Sequence, residues 1–175
     1  YHVEQNTFDD GIIGLIIYNS GDEENLVYKN TFTDLEIAFI GIGDNTQYPS
    51  EKAGLQLRCN IFDGVDYAIS VLGGSLVTAN GLITVSNSDI RQIQGVSYPY
   101  EISAYNYFNT NETTDYNHFF INPNVSNIIY NGDKYQYNQT NSAGYYLQYY
   151  NSNHVEIEWY AAQTCPSTLS SGGGI

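Results

Sequence analysis

Three aspartates recur at similar positions in the chain and could act on polysaccharides. Asp9, Asp34 and Asp63 each follow an asparagine by three or four residues. Two or three carboxylates that converge within roughly 5 to 10 Å can hydrolyse a glycosidic bond. An active site is normally unique, however, whereas a turn recurs with every repeat. We therefore expect these aspartates to accept hydrogen bonds from backbone amides in turns, rather than to form a hydrolase site.

Basic residues are scarce, which weakens the case for a polysaccharide lyase. A lyase needs a base beside the uronate carboxylate, and Arg, Lys or calcium to neutralise that charge. The chain has five Lys and Arg. Lys29 and Arg58 occupy neighbouring positions of a repeat, one residue apart in register, and both are flanked by residues of a structural motif. The sequence favours a chain without a catalytic site.

Two acidic loops carry oxygen ligands of the kind that calcium binds. They contain Asp22–Glu24 and Asp44, but neither matches an EF-hand or a calcium β-roll. We expect solvated loops, with calcium binding as the weaker alternative, and predict no other cofactor. His2, His118 and His154 are isolated in sequence, and no nucleophile elbow, P-loop or dinucleotide motif is present.

The charge and the aromatic content narrow the choice of partners. The formal net charge is −14, which repels nucleic-acid backbones and anionic lipid headgroups. No apolar run reaches the length of about 20 residues needed to cross a membrane, so direct insertion is not predicted. Thirteen of the eighteen tyrosines lie between residues 98 and 160. They could stack on sugar rings, or they could simply cover half-exposed strands.

The two cysteines leave two interpretations open. A bond between Cys59 and Cys165 would close a loop of more than a hundred residues, and would stabilise the fold by up to about 4 to 5 kcal/mol in the entropic model. Alternatively, Cys59 could serve as a small buried apolar residue.

These candidate residues are positioned by a repeat that has three copies between residues 3 and 71. In each copy an Asn is followed two positions later by a Phe, and a small residue comes eight positions after the Asn. The spacings of 24 and 30 residues between the asparagines match one coil of a β-solenoid with variable loops. We predict that the asparagines bond between stacked coils and that the rings stack. The pairs are Asn6 and Phe8, Asn30 and Phe32, and Asn60 and Phe62.

Short strands separated by Asn and Gly predict an all-β fold, namely a parallel β-helix segment. We expect coils over residues 1–97, a Tyr/Asn-rich β cap with short antiparallel pairs over 98–163, and a flexible linker over 164–175. A degraded fourth copy is expected at Ile83–Ile90, with Asn87 as its asparagine. The first copy leaves an open β edge, so we also expect the native protein to continue upstream.

The repeated Asn-x-Phe coils, Gly54–Phe62, Gln92–Gly95 and Thr164–Ser167 together resemble a family of large surface proteins in Bacteroidota. The resemblance implies a right-handed parallel β-helix and export by the type IX (Por) secretion system. It also implies an extracellular or cell-surface location beyond the outer membrane. The implied partners are the secretion translocon or the surface-attachment machinery.

The sequence thus predicts a non-catalytic segment of a secreted or cell-surface β-helix protein. The segment would be an adhesin or stalk that contacts glycans or surfaces. The alternative is a polysaccharide lyase or glycoside hydrolase of the β-helix class, with its active coils outside this chain.

Overall fold

The computed structural model contains strands joined by turns and bends. It describes residues 1–45, 54–72, 74–78, 81–85, 90, 93–96, 102–104, 106–109, 117–121, 133–138, 155–160 and 165. Within these ranges there is no helix, and hence none that is long and apolar enough to cross a membrane. The prediction of an all-β chain is confirmed for this part of the protein.

The described residues form fifteen strands. In chain order they are β1 (His2–Glu4), β2 (Thr7–Tyr18), β3 (Asn25–Tyr28), β4 (Thr31–Ile42), β5 (Leu55–Arg58), β6 (Ile61–Asp63), β7 (Tyr67–Val71), β8 (Gly74–Thr78), β9 (Gly81–Val85), β10 (Ile93–Val96), β11 (Ile102–Ser103), β12 (Tyr107–Asn109), β13 (Asn117–Ile121), β14 (Asp133–Asn138) and β15 (Val155–Tyr160).

Two parallel sheets hold the repeat copies together. The first sheet has the order β1-β3-β5, with one strand from each of the three copies. In the second sheet β4 lies between β2 on one side and β6 and β7 on the other, and β12 and β13 follow. The register pairs Phe8 with Phe32, Phe32 with Phe62, and Phe62 with Phe108. Equivalent residues of successive copies therefore lie side by side.

Left-handed backbone conformations mark the corners of each copy at two registered positions. A positive φ is costly for most residues, so its recurrence shows that the same corner is rebuilt in each copy. One position immediately precedes the Asn and is occupied by Gln5, Lys29 and Cys59. The other follows the Asn by four residues and is occupied by Asp10, Asp34 and Gly64.

The core lies between the two sheets and is made of buried apolar side chains. Val27 and Leu57 contribute from the first sheet, and Phe32 and Phe39 from the second. Small residues are needed beside the Phe rings. A Cβ on Gly14 would lie 2.7 Å from the Ala38 carbonyl oxygen and 3.0 Å from the Phe32 ring.

The predicted fourth copy at Ile83–Ile90 is wrong. Strand β9 pairs antiparallel with β8, because only residues 79–80 separate them and so short a connection closes a local hairpin. The position next to the third copy is taken by β12, whose Tyr107–Asn109 pair with Ile61–Asp63. Asn87 itself lies outside the described residues.

The antiparallel pairs predicted for the second half are only partly correct. Strands β14 and β15 pair in parallel, because the intervening residues 139–154 are long enough for a crossover connection. Strand β10 pairs in parallel with β14 and antiparallel with β11. Parallel pairing with the repeat continues past residue 97 through β12 and β13. Apart from Cys165, the linker predicted over 164–175 lies outside the described residues.

Candidate functional site

The repeat asparagines form one continuous column, joined by their own amides. The backbone N and the Nδ2 of Asn6 donate to Oδ1 of Asn30 at 3.0 and 3.1 Å. Asn30 makes the same two bonds to Asn60 at 3.0 and 3.1 Å. Asn60 makes them to Asn106 at 2.9 and 3.0 Å. The column therefore has a direction, because each asparagine donates to the one that follows it.

The remaining amide hydrogen binds a backbone carbonyl of the preceding copy. Asn30 donates to Val3 at 2.8 Å, and Asn60 donates to Val27 at 3.0 Å. Both asparagines are fully buried. Their Nδ2 hydrogens and Oδ1 lone pairs are all used inside the column, so these side chains hold the copies together and cannot also bind a ligand.

The phenylalanines stack beside the asparagine column. Ring centroids are 4.9 Å apart for Phe8 and Phe32, and 5.2 Å for the next two pairs in the order Phe32, Phe62, Phe108. The interplanar angles are between 7° and 12°. Such stacked pairs add about 0.5 to 1.5 kcal/mol each beyond the burial of apolar area.

The fourth rung of both columns was missed in the sequence, although its signal is present. Asn106-Tyr107-Phe108 has the same Asn-x-Phe pattern as the other copies. Its asparagine lies 46 residues after Asn60, because the β8–β9 hairpin intervenes, and this spacing exceeds the 24 and 30 residues of the earlier copies.

A second set of asparagines, also missed, holds the acidic loops. Oδ1 of Asn45 accepts from the Ser20 backbone N at 2.9 Å, and Oδ1 of Asn19 accepts from the Asp44 backbone N at 2.9 Å. Nδ2 of Asn25 donates to the carbonyl oxygens of Ser20 and Glu23 at 3.1 Å. These bonds give the two loops a defined conformation.

The aspartates at similar spacing from the repeat asparagines, Asp9, Asp34 and Asp63, do not all occupy one registered position. Asp9 pairs in register with Thr33, which pairs with Asp63, whereas Asp34 lies one position further along. The structure instead brings carboxylate oxygens of Asp9, Asp10 and Asp34 within 4.8 Å of one another. All three side chains are exposed.

This acidic trio offers the hard oxygen ligands that calcium prefers. Among the described residues it is the only group of three or more such side chains close enough to share an ion. The loop residues Asp22–Glu24 and Asp44 do not form a second one there. Because exposed carboxylates are fully hydrated and clusters of them are common on acidic surfaces, the trio alone does not assign a bound cation.

The two basic residues considered for a lyase surround a buried tyrosine. Arg58 pairs in register with Tyr28, which pairs with Glu4. Lys29 Nζ lies 5.8 Å from the centroid of the Tyr28 ring. Burial raises the pKa of Tyr28; the Arg58 cation lowers it in part, and the Glu4 carboxylate raises it further. Desolvation lowers the pKa of Arg58, opposed by Tyr28 and Glu24.

Cys59 and Cys165 form a disulfide with an S–S distance of 2.02 Å across 106 residues of sequence. Cys165 packs with Leu26, Tyr28 and Cys59 in a small apolar cluster, separate from the main core. The bond therefore fastens a distant part of the chain over this cluster.

The histidines do not converge on a site in the part of the chain that the structure describes. His2 is exposed in β1, His118 lies in β13, and His154 is outside the described residues. Among the tyrosines whose side chains the structure describes, three present exposed rings, namely Tyr1, Tyr18 and Tyr107 at 54%, 44% and 36% exposure.

The described residues thus contain an asparagine column with a column of stacked Phe rings beside it, a disulfide clasp between Cys59 and Cys165, an exposed acidic trio and exposed aromatic rings. Comparisons of the chain with protein-family models, with curated proteins and with solved structures find no match.

Proposed function

We propose that this chain is a segment of a right-handed parallel β-helix. The support is the Asn and Phe columns, which run through four copies whose equivalent strands pair in parallel around one core. A solenoid with variable loops accounts for copies that align in space despite unequal spacing in sequence.

The proposed role is that of a non-catalytic stalk or adhesin in a secreted or cell-surface protein, one that contacts glycans or surfaces. The observation that carries this proposal is that the hydrogen-bonding groups of the buried repeat asparagines, Asn30 and Asn60, are all used inside the fold. Contact with a partner is then expected at exposed residues such as Tyr18 and Tyr107. Tyrosine faces suit sugar rings, and the net charge of −14 disfavours anionic partners.

The exposed rings give a direct test on an array of neutral and acidic glycans. We expect Tyr18→Ser and Tyr107→Ser to weaken binding of the chain by about tenfold each, the loss of about 1.4 kcal/mol. Tyr18→Phe and Tyr107→Phe keep the ring faces and serve as controls that retain binding. No bound glycan, or equal binding by the Ser variants, would refute contact through these rings.

The same glycans also test the enzyme alternative. We expect the full-length protein to leave their chain lengths and reducing ends unchanged. New reducing ends, or unsaturated uronate products absorbing in the ultraviolet, would replace the stalk proposal with a hydrolase or a lyase respectively.

Export by the type IX system, with contact to its translocon or to the attachment machinery, is proposed from the sequence resemblance. In a Bacteroidota host that makes the full-length protein, inactivating that system should abolish cleavage of the protein by protease added to intact cells. Unchanged cleavage would refute the route.

A further inference from the structure

The edge of the first copy is built like an internal repeat interface, but no strand that the structure describes covers it. Among the described strands, β1 pairs only with β3 and β2 only with β4. On the next copy the equivalent surface is covered by the first. Ile16 is 41% exposed, whereas Ile40, its partner in register, is 3% exposed. Phe8 is half-buried, and Phe32 is fully buried.

Asn6 is the first asparagine of the described column, and its acceptor differs from those inside the column. Oδ1 of Asn30 and Oδ1 of Asn60 each accept two hydrogen bonds from the preceding asparagine. Oδ1 of Asn6 accepts none from the residues that the structure describes. The Nδ2 of Asn6 donates to the carbonyl oxygen of Glu4 at 3.1 Å, in its own copy. The corresponding bond of Asn30 crosses to Val3 of the preceding copy.

We propose that this edge is a docking surface for a β segment carrying a further Asn-x-Phe repeat, added in parallel and in register. The incoming asparagine donates its backbone N and Nδ2 to Oδ1 of Asn6, and the incoming Phe stacks on Phe8. Its apolar strand residues cover Leu15 and Ile16. The inference goes beyond glycan contact and holds or fails independently of it.

The direction of the column selects this partner over a second copy of the chain docked edge to edge. Two first-copy edges would present the Asn6 oxygen acceptors to each other without an intervening donor. Each chain also carries a charge of −14, which adds repulsion. A segment whose asparagine points its donors towards Asn6 meets neither obstacle.

A synthetic peptide of residues 25–42, the second copy, is a suitable probe for the full chain. We expect it to protect the amides of β1 and β2 from hydrogen exchange. Peptides with Asn30→Leu or Phe32→Ser should bind at least about tenfold more weakly. The Asn6→Ala substitution in the chain should weaken binding of the unsubstituted peptide by a similar factor. Asp66→Asn, an exposed position in the third copy and far from this edge, is the control, and this variant should bind the peptide as the parent chain does.

A linked version removes the need for a free peptide to adopt a strand. Residues 22–45 are duplicated ahead of Tyr1 through a Gly-Ser-Gly joint, which restores the spacing of 24 residues between asparagines. In this extended chain Asn6→Ala should lower the urea midpoint about as much as Asn60→Ala does. In the parent chain Asn6→Ala should have little effect.

Three results would overturn the proposal. The first is equal binding by the Asn30→Leu peptide, and the second is an Asn6→Ala effect that does not change in the extended chain. The third is concentration-dependent protection of β1 and β2 in the chain alone, with dimers in sedimentation, which would make a second copy the occupant.

Discussion

Replacing Asn60 with alanine removes the centre of the asparagine column. The side chain makes four hydrogen bonds: it accepts from the backbone N and Nδ2 of Asn30, and it donates to Val27 O and to Asn106 Oδ1. Alanine keeps the backbone bond from residue 60 to Asn106 but loses all four of the others. The backbone N–H of Asn30 then has no acceptor in a fully buried position.

Each lost bond costs about 0.5 to 1.5 kcal/mol net, and more where a buried partner remains unsatisfied. Four such losses give about 4 kcal/mol. That is a large share of the 5 to 15 kcal/mol that is typical of a folded domain. For a chain of 175 residues, it corresponds to a fall in Tm of roughly 8 to 16 °C.

Urea unfolding followed by far-ultraviolet circular dichroism measures this loss, and Asn6→Ala is the matched control. Asn6 is exposed and loses two side-chain bonds, to Glu4 O and to Asn30 Oδ1, which water can replace. We expect that substitution to cost less than about 1 kcal/mol. Equal losses for the two variants would refute the reasoning, because the column would then carry no more stability inside than at its end.

Three further predictions concern the clasp, the buried tyrosine and the acidic trio. Cys165→Ser, or reduction of the parent chain, should lower the free energy of unfolding by up to about 4 to 5 kcal/mol. Adding reductant to the Cys165→Ser variant should not lower its urea midpoint further. An additional loss would point to another redox-sensitive group. Because burial raises the pKa of Tyr28, the folded state keeps the phenol proton when the unfolded state loses it, so the free energy of unfolding should fall as pH rises above about 10. In urea titrations at alkaline pH, the Tyr28→Phe variant should show a shallower fall, and an identical slope would contradict this. The carboxylates of the trio lie within 4.8 Å of one another, a distance at which two charges repel by about 0.9 kcal/mol in water. Asp34→Asn should therefore raise the thermal midpoint at low salt, with the gain vanishing at high salt. A net loss of stability that appears only with added calcium would show instead that the trio binds the ion.

The first three copies could be predicted from sequence because their pattern is local and repeats with nearly constant spacing. The same residues that align in sequence, such as Phe8, Phe32 and Phe62, pair in register in the second sheet. The fourth copy was misplaced because its asparagine lies 46 residues after Asn60, well beyond the spacing of the earlier copies. The pattern Ile83–Asn87 resembled a repeat copy, but Gly81–Val85 pairs antiparallel with Gly74–Thr78.

Other features depend on information that no short segment contains. Alternation of polar and apolar residues identifies β14 and β15 as strands but does not specify their relative direction, which depends on the path of residues 139–154. The disulfide likewise depends on where the chain lies 106 residues after Cys59. The acidic trio was missed because the recurrence of Asp9, Asp34 and Asp63 drew attention away from Asp10, which follows its asparagine by four residues as Asp34 does.

The unequal spacing of the rungs indicates where this fold can accept change. Successive asparagines are 24, 30 and 46 residues apart, yet the bonds between them keep the same geometry to within 0.1 Å. Loop-closure entropy grows only slowly with length, by about 0.6 kcal/mol per doubling. Insertions between rungs are thus inexpensive, whereas a change in a rung leaves buried polar groups unsatisfied. The inserted loops and hairpins can therefore vary, while the Asn and Phe columns keep the register on which those loops are displayed.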